Sequence, residues 1–596
     1  MMKNKDRVIK YCVYIVLLTG LAIGIAVLFP QVRQMIIELA ERMMHRKIPF
    51  HEKWTQQLLF YAIGGIFLIV FSYYCSLTAP GKMLVCKTKN EIRECLAEID
   101  WRSLIKPVLI MSGVYLLGII SLIRANFLYI DDIMRTVYGY RKWYEWNRYV
   151  SEFFSTFIHA DFHLTDISPL PQLIAILILA VSSVLLIYAL NNKKITITGL
   201  LASVPIGLSP YMLGCLSYRF DAPYMALSVL AAIVPFLFYT SKKAFVFCSV
   251  VCLLIMCMTY QAASGIYILI TLVLCFDDWN KKRKTNREVF LFLGRAVISF
   301  SMAMVFFRFF LMKPYDPPYG YASTSMLSLS QLFSGILTNI RTYMNTINSD
   351  FSFIWKALIG IIFCFFIAKS ILTSAQNKIY SFFAAFILLC LLFFLSFGVY
   401  IVLEQPLFAP RAMYGFGVLL AIISIYIVYD FNKIAKILAL SLSWSFLVFA
   451  FSYGNALADQ KHYADFRIAI LLQDLSALYP DKDKDENRIT IQLKNTIGFT
   501  PSIRNIAKHN PVIYKLVPQI LRQECEGGVE SYIHVYYLQY DNYGLANMDN
   551  FQRAIEMGQP YVDFKTLDLP IVLKTYYHTI RSDGKRVLVE LNDGYQ

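Results

Sequence analysis

Apolar residues run along this chain in blocks of roughly twenty, separated by shorter polar or basic stretches. A helix rises about 1.5 Å per residue, so about 20 apolar residues cross the roughly 30 Å hydrocarbon core of a bilayer. The pattern predicts spans near 8–29, 57–78, 104–124, 172–190, 195–213, 223–240, 244–259, 262–276, 289–312, 353–372, 379–402, 412–429 and 434–452, about thirteen in all. Helices are expected because a helix satisfies its own backbone hydrogen bonds in lipid. The expected fold is therefore an α-helical polytopic membrane protein.

Two stretches depart from this rhythm. In 141–157, Trp143, Trp146, Tyr149 or Val150, Phe153 and Phe157 recur every three or four residues. That spacing predicts an amphipathic helix lying in the headgroup plane, an ordinary packed helix being the alternative. From Asn455 the pattern becomes that of a water-soluble domain. Residues 455–476 read as a helix leaving the membrane, 481–486 as a charged loop, 488–493 as a strand, 501–521 as a helix and 532–540 as a strand. The stretches 575–580 and 585–591 flank Arg581-Ser-Asp-Gly584, a hairpin signal whose glycine supplies a positive φ. The expected division is 1–100 with two spans, a membrane core over 101–454, and a small C-terminal α/β domain over 455–596.

Composition agrees. Of 596 residues 57% are hydrophobic and 16% charged, against roughly 25% charged in soluble domains. The 45 Phe and 40 Tyr suit long interfacial aromatic belts. A net charge of +16 could suggest nucleic acid, but 453–596 carries 16 basic and 18 acidic residues, so the excess lies in loops between spans. There it reads as an orientation signal, and no nucleic-acid partner is expected. Lys193-Lys194, Lys242-Lys243 and above all Lys281-Lys-Arg-Lys284 mark inside loops, which puts the N-terminus in the cytoplasm and the C-terminal domain outside; the basic loop 30–56 dissents. Lys3, Lys5 and Arg7 precede a first span long enough to be an uncleaved anchor. The twelve cysteines show no zinc-like spacing and read as apolar filler.

On the expected outer face lie 125–171, 214–222, 313–351 and 403–411, long or rich in polar and aromatic residues, so function is expected there. Phe127-Leu-Tyr-Ile-Asp131-Asp132-Ile-Met-Arg135 follows directly on a span. Its acid pair could deprotonate an acceptor hydroxyl, hold a metal, or favour a helix N-terminus, with one carboxylate paired to Arg135. Ser217-Tyr218-Arg219-Phe-Asp221 occupies the next outer loop, followed by Thr259-Tyr260-Gln261 and Pro410-Arg411-Ala-Met-Tyr414. Arg219 and Arg411 could grip a phosphate bidentately, or simply snorkel to the headgroups. Tyr218, Tyr260 or Tyr414 could stack on a sugar.

Taken in order, these four stretches resemble the bacterial type II serotype-converting glucosyltransferases, membrane enzymes of the GT-C type, over about 100–596. The resemblance implies transfer of a hexose, glucose being expected, from a polyprenyl-phosphate sugar onto a cell-surface polysaccharide outside the cytoplasmic membrane. It implies Asp131 or Asp132 as the catalytic base or organiser of the site, with Arg219, Asp221, Gln261, Arg411 and Tyr414 at the donor or acceptor site. Arg135, Tyr218 and Tyr260 join the expected substrate-binding residues from their place in the same stretches. A divalent cation is left open. The competing classes are a transporter or flippase of lipid-linked saccharides and a non-catalytic surface-assembly protein. Transporters carry polar groups near the bilayer midplane in broken helices or repeated halves, and the sequence shows little intramembrane charge and no repeat.

Overall fold

The computed structural model describes residues 73–76, 78–312, 325–429, 431–480, 489–522, 547–549 and 562–594. The chain divides into two compact units, one of Met1–Asp100, Val234–Cys257 and Leu291–Pro314, the other of Trp101–Ile233, Met258–Phe290 and Tyr315–Gln596. In the first unit, the Ala79–Ala97 helix begins on a Thr78 cap. Its Glu91 accepts the N–H groups of Lys243 and Ala244 at 3.0 and 3.3 Å, filling the open donors at the start of the Lys242–Cys257 helix. Phe292 packs on Tyr239 and Phe245, ring centroids 4.7 and 5.0 Å away.

Among the described residues, seven helices are long and apolar enough to cross a membrane: Trp101–Ala125, Leu170–Leu190, Gln261–Asn280, Asn286–Leu311, Phe353–Leu372, Lys378–Leu395 and Lys433–Leu478. The chain is thus a multi-pass membrane protein. The expected span 195–213 is broken, with Ile197–Leu208 and Pro210–Ser217 meeting at 56°. Pro210 causes this, since it lacks an N–H and pushes the residue before it out of the helical region; Ser209 sits at φ −59, ψ 148. Ala222–Phe238 and Gly415–Val428 are shorter apolar helices, and Lys242–Cys257 has 16 residues. The expected span 8–29 lies outside the described residues, as does nearly all of 57–78.

At the C-terminal end two expectations are corrected. The span 434–452 and the helix 455–476 are one uninterrupted helix of 46 residues, Lys433–Leu478, about 70 Å long. Asn455 marks a change of solvent preference, not a break in backbone hydrogen bonding. The expected helix 501–521 is two short ones, Pro501–Ala507 and Ile513–Leu516, parted at Asn510-Pro511. The strands are β1 (Ile489–Asn495), β2 (Asn547–Asp549), β3 (Ile571–Lys574), β4 (His578–Ser582) and β5 (Arg586–Leu591), in the order β2-β1-β5-β4-β3. β1 is parallel to both its neighbours, whereas β5-β4 and β4-β3 are antiparallel. The predicted hairpin is β4-β5, turning through Gly584 at φ +96. The expected strand 532–540 lies outside the described residues.

Arg467, buried on the long helix, fastens this sheet. Its guanidinium donates to the Tyr577 and Asn592 carbonyls at 2.6 and 2.9 Å and to the Tyr463 hydroxyl at 2.7 Å. Hydrogen bonds from a charged donor contribute about 1.5–3 kcal/mol each, and carbonyls left unpaired add a further cost. Arg467→Ala should destabilise the C-terminal domain by about 3 kcal/mol or more. Trypsin digestion in detergent should then cut within 489–594 well before the membrane helices melt; an unchanged digestion rate would refute the anchoring role.

Candidate functional site

The Trp101–Ala125 helix ends at Asn126, which turns left-handed at φ 45. Buried Phe127 and Tyr129 follow, then Ile130 at φ 46. A β-branched residue in that region costs about 1–3 kcal/mol and persists only where its surroundings hold it. Asp132 does the holding. Its Oδ2 accepts the Tyr129 N–H at 3.2 Å, and its own N–H returns to the Tyr129 carbonyl at 3.0 Å. The same Oδ2 accepts the Arg219 backbone N–H at 3.1 Å, joining the acid turn to the next loop.

The two aspartates are therefore unlike. Asp131 stands at the cap position of the Asp132–Tyr138 helix, makes no side-chain capping bond, and is partly exposed. Asp132 is fully buried, and its Oδ1 has no hydrogen-bond partner. Burial pushes its carboxyl up to about 8, a rise that Arg219 opposes through its charge and its backbone N–H.

The arginines also divide. The Arg219 guanidinium is 3% exposed and ion-paired with Asp166, and it donates to Asn126 Oδ1 and the Phe127 carbonyl at 3.0 Å each. Arg135 pairs with Asp221 at 3.0 Å and lies 4.1 Å over the Trp143 ring. Asp221 also accepts the Trp143 indole N–H at 2.6 Å. Trp143 is wholly buried against Tyr224, which corrects its expected place on an interfacial stripe. The stretch 141–157 is a short turn, Trp143–Trp146, and a helix, Tyr149–His159, separated by Asn147 at φ 60. Exposed rings come from both parts, Tyr144 and Trp146 on the turn and Phe153, Phe154 and Phe157 on the helix.

Arg411 sits on the Pro410–Ala412 turn, partly exposed, donating to the Tyr218 hydroxyl and lying 5.4 Å over that ring. Tyr218 meets Tyr129 edge-on at 4.7 Å, and Tyr260 stacks on Tyr414 at 6.1 Å. The Tyr414 hydroxyl is bonded to Ser228 at 2.9 Å, and Tyr414 is buried. Gln261, next to Tyr260, is partly exposed.

One cation escaped the sequence reading. Arg148 lies 4.6 Å over Tyr260, with its side chain 21% exposed, its Nε unpartnered, and its nearest carboxylate, Asp221, at 3.8 Å. Its charge and that of Arg411 both act on Tyr260. Arg148 was hidden among aromatic residues that look like a membrane-surface helix, and no local signal sets it apart from the basic residues around it. A small cleft of about 10 Å³ lies beside Arg219, lined by Asn126, Phe127, Tyr129, Gln172, Ser217 and Arg219. Among the described residues, no group of three or more His, Cys, Asp or Glu side chains converges as a metal site would need.

The family model described as "Glucosyl transferase GtrII" matches residues 120–422, and the chain belongs to that family. The matched stretch contains every site residue from Asp131 to Tyr414. A protein of Salmonella phage P22, described as "Uncharacterized 55.3 kDa protein in gtrB 5'region", is 25% identical over 430 residues, covering 70% of this chain and 87% of that one. No solved structure matches. Family membership supports a glycosyltransferase activity.

The Asp132 carboxyl gives a pH signature. Its value is raised from 3.8 to about 8 in the fold, so the folded chain keeps a proton that the unfolded chain releases. Its contribution to stability is full below about pH 4 and is lost as pH rises towards about 8. In Asp132→Asn the amide oxygen still accepts both N–H groups, so the variant should fold and lose this slope, whereas Asp132→Ala should lose the clasp itself. Melting temperatures in detergent from pH 4 to 9 check this, and parallel curves for wild type and Asp132→Asn would contradict it.

Proposed function

We propose that the protein is a GT-C-type glycosyltransferase of the cytoplasmic membrane. It moves a hexose, glucose by family, from a polyprenyl-phosphate sugar to a polysaccharide acceptor on the outer side. Positive-inside charge supports a cytoplasmic N-terminus and an extracytoplasmic C-terminal domain. The observation carrying the reading is the contrast within the polar cluster: Asp131, Arg148 and Arg411 keep exposed surface, while Asp132, Arg135, Arg219 and Asp221 are buried among one another.

In this mechanism Asp131 accepts the proton of the acceptor hydroxyl as its oxygen forms a bond to the anomeric carbon. The bond from that carbon to the lipid phosphate breaks, and its electron pair leaves on the phosphate oxygen. Arg411 and Arg148 meet the charge that develops there through donors already oriented by Tyr218 and Tyr260. Gln261, partly exposed, is placed to contact donor or sugar, while Tyr218 and Tyr260 are buried beneath Arg411 and Arg148 and Tyr414 is buried behind Tyr260. Asp132, Arg135, Arg219 and Asp221 hold the two loops in register. This moves the phosphate grip from Arg219, whose guanidinium faces Asp166, Asn126 and Phe127, to Arg148.

The broken span through Pro210 favours one second reading, a transporter of lipid-linked saccharide. Membranes supplied with lipid-linked hexose and acceptor separate the two. Asp131→Asn should lower transfer about 10²–10⁴-fold with melting temperature unchanged. Arg148→Ala and Arg411→Ala should each lower kcat/KM for the donor about 10²-fold. Wild-type transfer by Asp131→Asn would remove the catalytic assignment, and lipid movement without glycosylated product would favour the transporter.

A further inference from the structure

One turn of the C-terminal domain reaches into the membrane core and has no part in the mechanism so far. Pro511 and Val512 begin the short Ile513–Leu516 helix, and Val512, Ile513, Leu516 and Val517 are buried. The Leu516 carbonyl accepts two phenol hydroxyls from different elements of the core. Tyr129, two residues before Asp131, donates at 2.8 Å, and Tyr453 of the long helix donates at 3.1 Å. The Tyr453 hydroxyl is also bonded, at 2.7 Å, to Ser217, which opens the Tyr218-Arg219-Phe-Asp221 loop. A single carbonyl thus ties the acid turn to the loop that Asp132 clasps.

The position of that carbonyl is itself fixed from the core. Lys515 pairs at 2.6 Å with Asp350, a 2%-exposed carboxylate whose other oxygen accepts the Tyr211 hydroxyl at 2.9 Å. The Val512 N–H donates to the Asp350 carbonyl at 3.2 Å. A Cβ on Gly214 of the broken span would stand 3.1 Å from the Leu516 side chain and 3.2 Å from Pro410, the neighbour of Arg411. The 511–517 turn therefore touches the acid turn, the broken span, the long helix and the end of the Leu332–Asp350 helix, and it shares Gly214 with the Arg411 turn.

We propose that the 511–517 turn is a positioning element of the transfer site, which the membrane core cannot complete without the C-terminal domain. The Leu516 carbonyl holds Tyr129, and through Tyr129 the left-handed Ile130 that aims Asp131 outward. Tyr129 and Lys515 are thus positioning residues that act through Asp131, and this inference rests on Asp131 being the base. A buried network with every member engaged fixes one geometry, and removing one partner frees the rest to move. The expected defect is in the chemical step, not in donor binding, because Arg148 and Arg411 stand on other elements.

The test uses the full chain in membranes with lipid-linked hexose and acceptor. Tyr129→Phe removes one hydroxyl and keeps the ring against Tyr218, and Lys515→Met removes the pair with Asp350. Both should lower kcat at least tenfold with donor KM within twofold, and speed amide exchange of 127–132. Arg586→Ala, on the exposed hairpin of the same domain, should leave kcat, KM and that exchange unchanged. The proposal is overturned if both variants keep kcat within twofold of wild type. It is equally overturned if kcat falls while exchange of 127–132 stays as in wild type, since the loss would then come from elsewhere. Should Lys515→Met fail to fold, Tyr129→Phe alone decides. Wild-type transfer by Asp131→Asn would sink the catalytic reading separately, and the exchange measurement would still decide whether the turn holds 127–132.

Discussion

One carboxylate oxygen, Oδ2 of Asp132, carries more of this structure than any other atom of the polar cluster. It receives backbone N–H groups from two loops that lie far apart in sequence, those of Tyr129 and Arg219. Burying a carboxyl without partners would cost several kcal/mol. Here two backbone donors serve one oxygen, and the raised proton affinity keeps the group largely neutral near pH 7. The strained Ile130 turn, the placement of Asp131 and the fixing of the 217–221 loop all follow from this contact.

Around it the charges fall into a frame and a face. Arg135 with Asp221 is a nearly dry pair, and the buried Arg219 is held by Asp166, which keeps 29% of its side chain exposed. Both hold geometry because removing the acid would strand a buried guanidinium. Arg148 and Arg411 instead lie over tyrosine rings and keep part of their surface exposed. Stacking lets a guanidinium be fixed in direction without using all its donors, which is what binding a transient anion needs. The long helix and the 511–517 turn extend the same logic, linking a small sheet to the acid turn through carbonyl acceptors.

Much of this was legible in the sequence. The spans at 104–124, 172–190, 353–372 and 379–402 follow from apolar length alone, and the β4-β5 hairpin from its glycine turn. Asp131, Asp132, Arg219 and Arg411 stood out as charges beside apolar helices. Their environments did not. Nothing local separates Asp131 from Asp132, since adjacent residues share composition and differ only in what the fold packs against each. Trp143 had the spacing of a surface helix and Arg148 lay within the same stretch, which two residues in positive-φ conformations, Lys142 and Asn147, break into a turn and a separate helix, with Trp143 buried.

The class of protein was written in the chain itself, because the cost of exposing backbone polar groups to lipid acts on every residue and leaves a long, regular hydrophobic signal. So was the set of stretches rich in acids and cations. Which of those charges are buried was left to the completed fold. Burial there depends on contacts such as Asp132 to Arg219, Arg467 to Tyr577 and Leu516 to Tyr129, separated by 87, 110 and 387 positions. Local pattern decays within a turn or two of helix, whereas desolvation and pairing are set by whatever folding brings within about 3 Å.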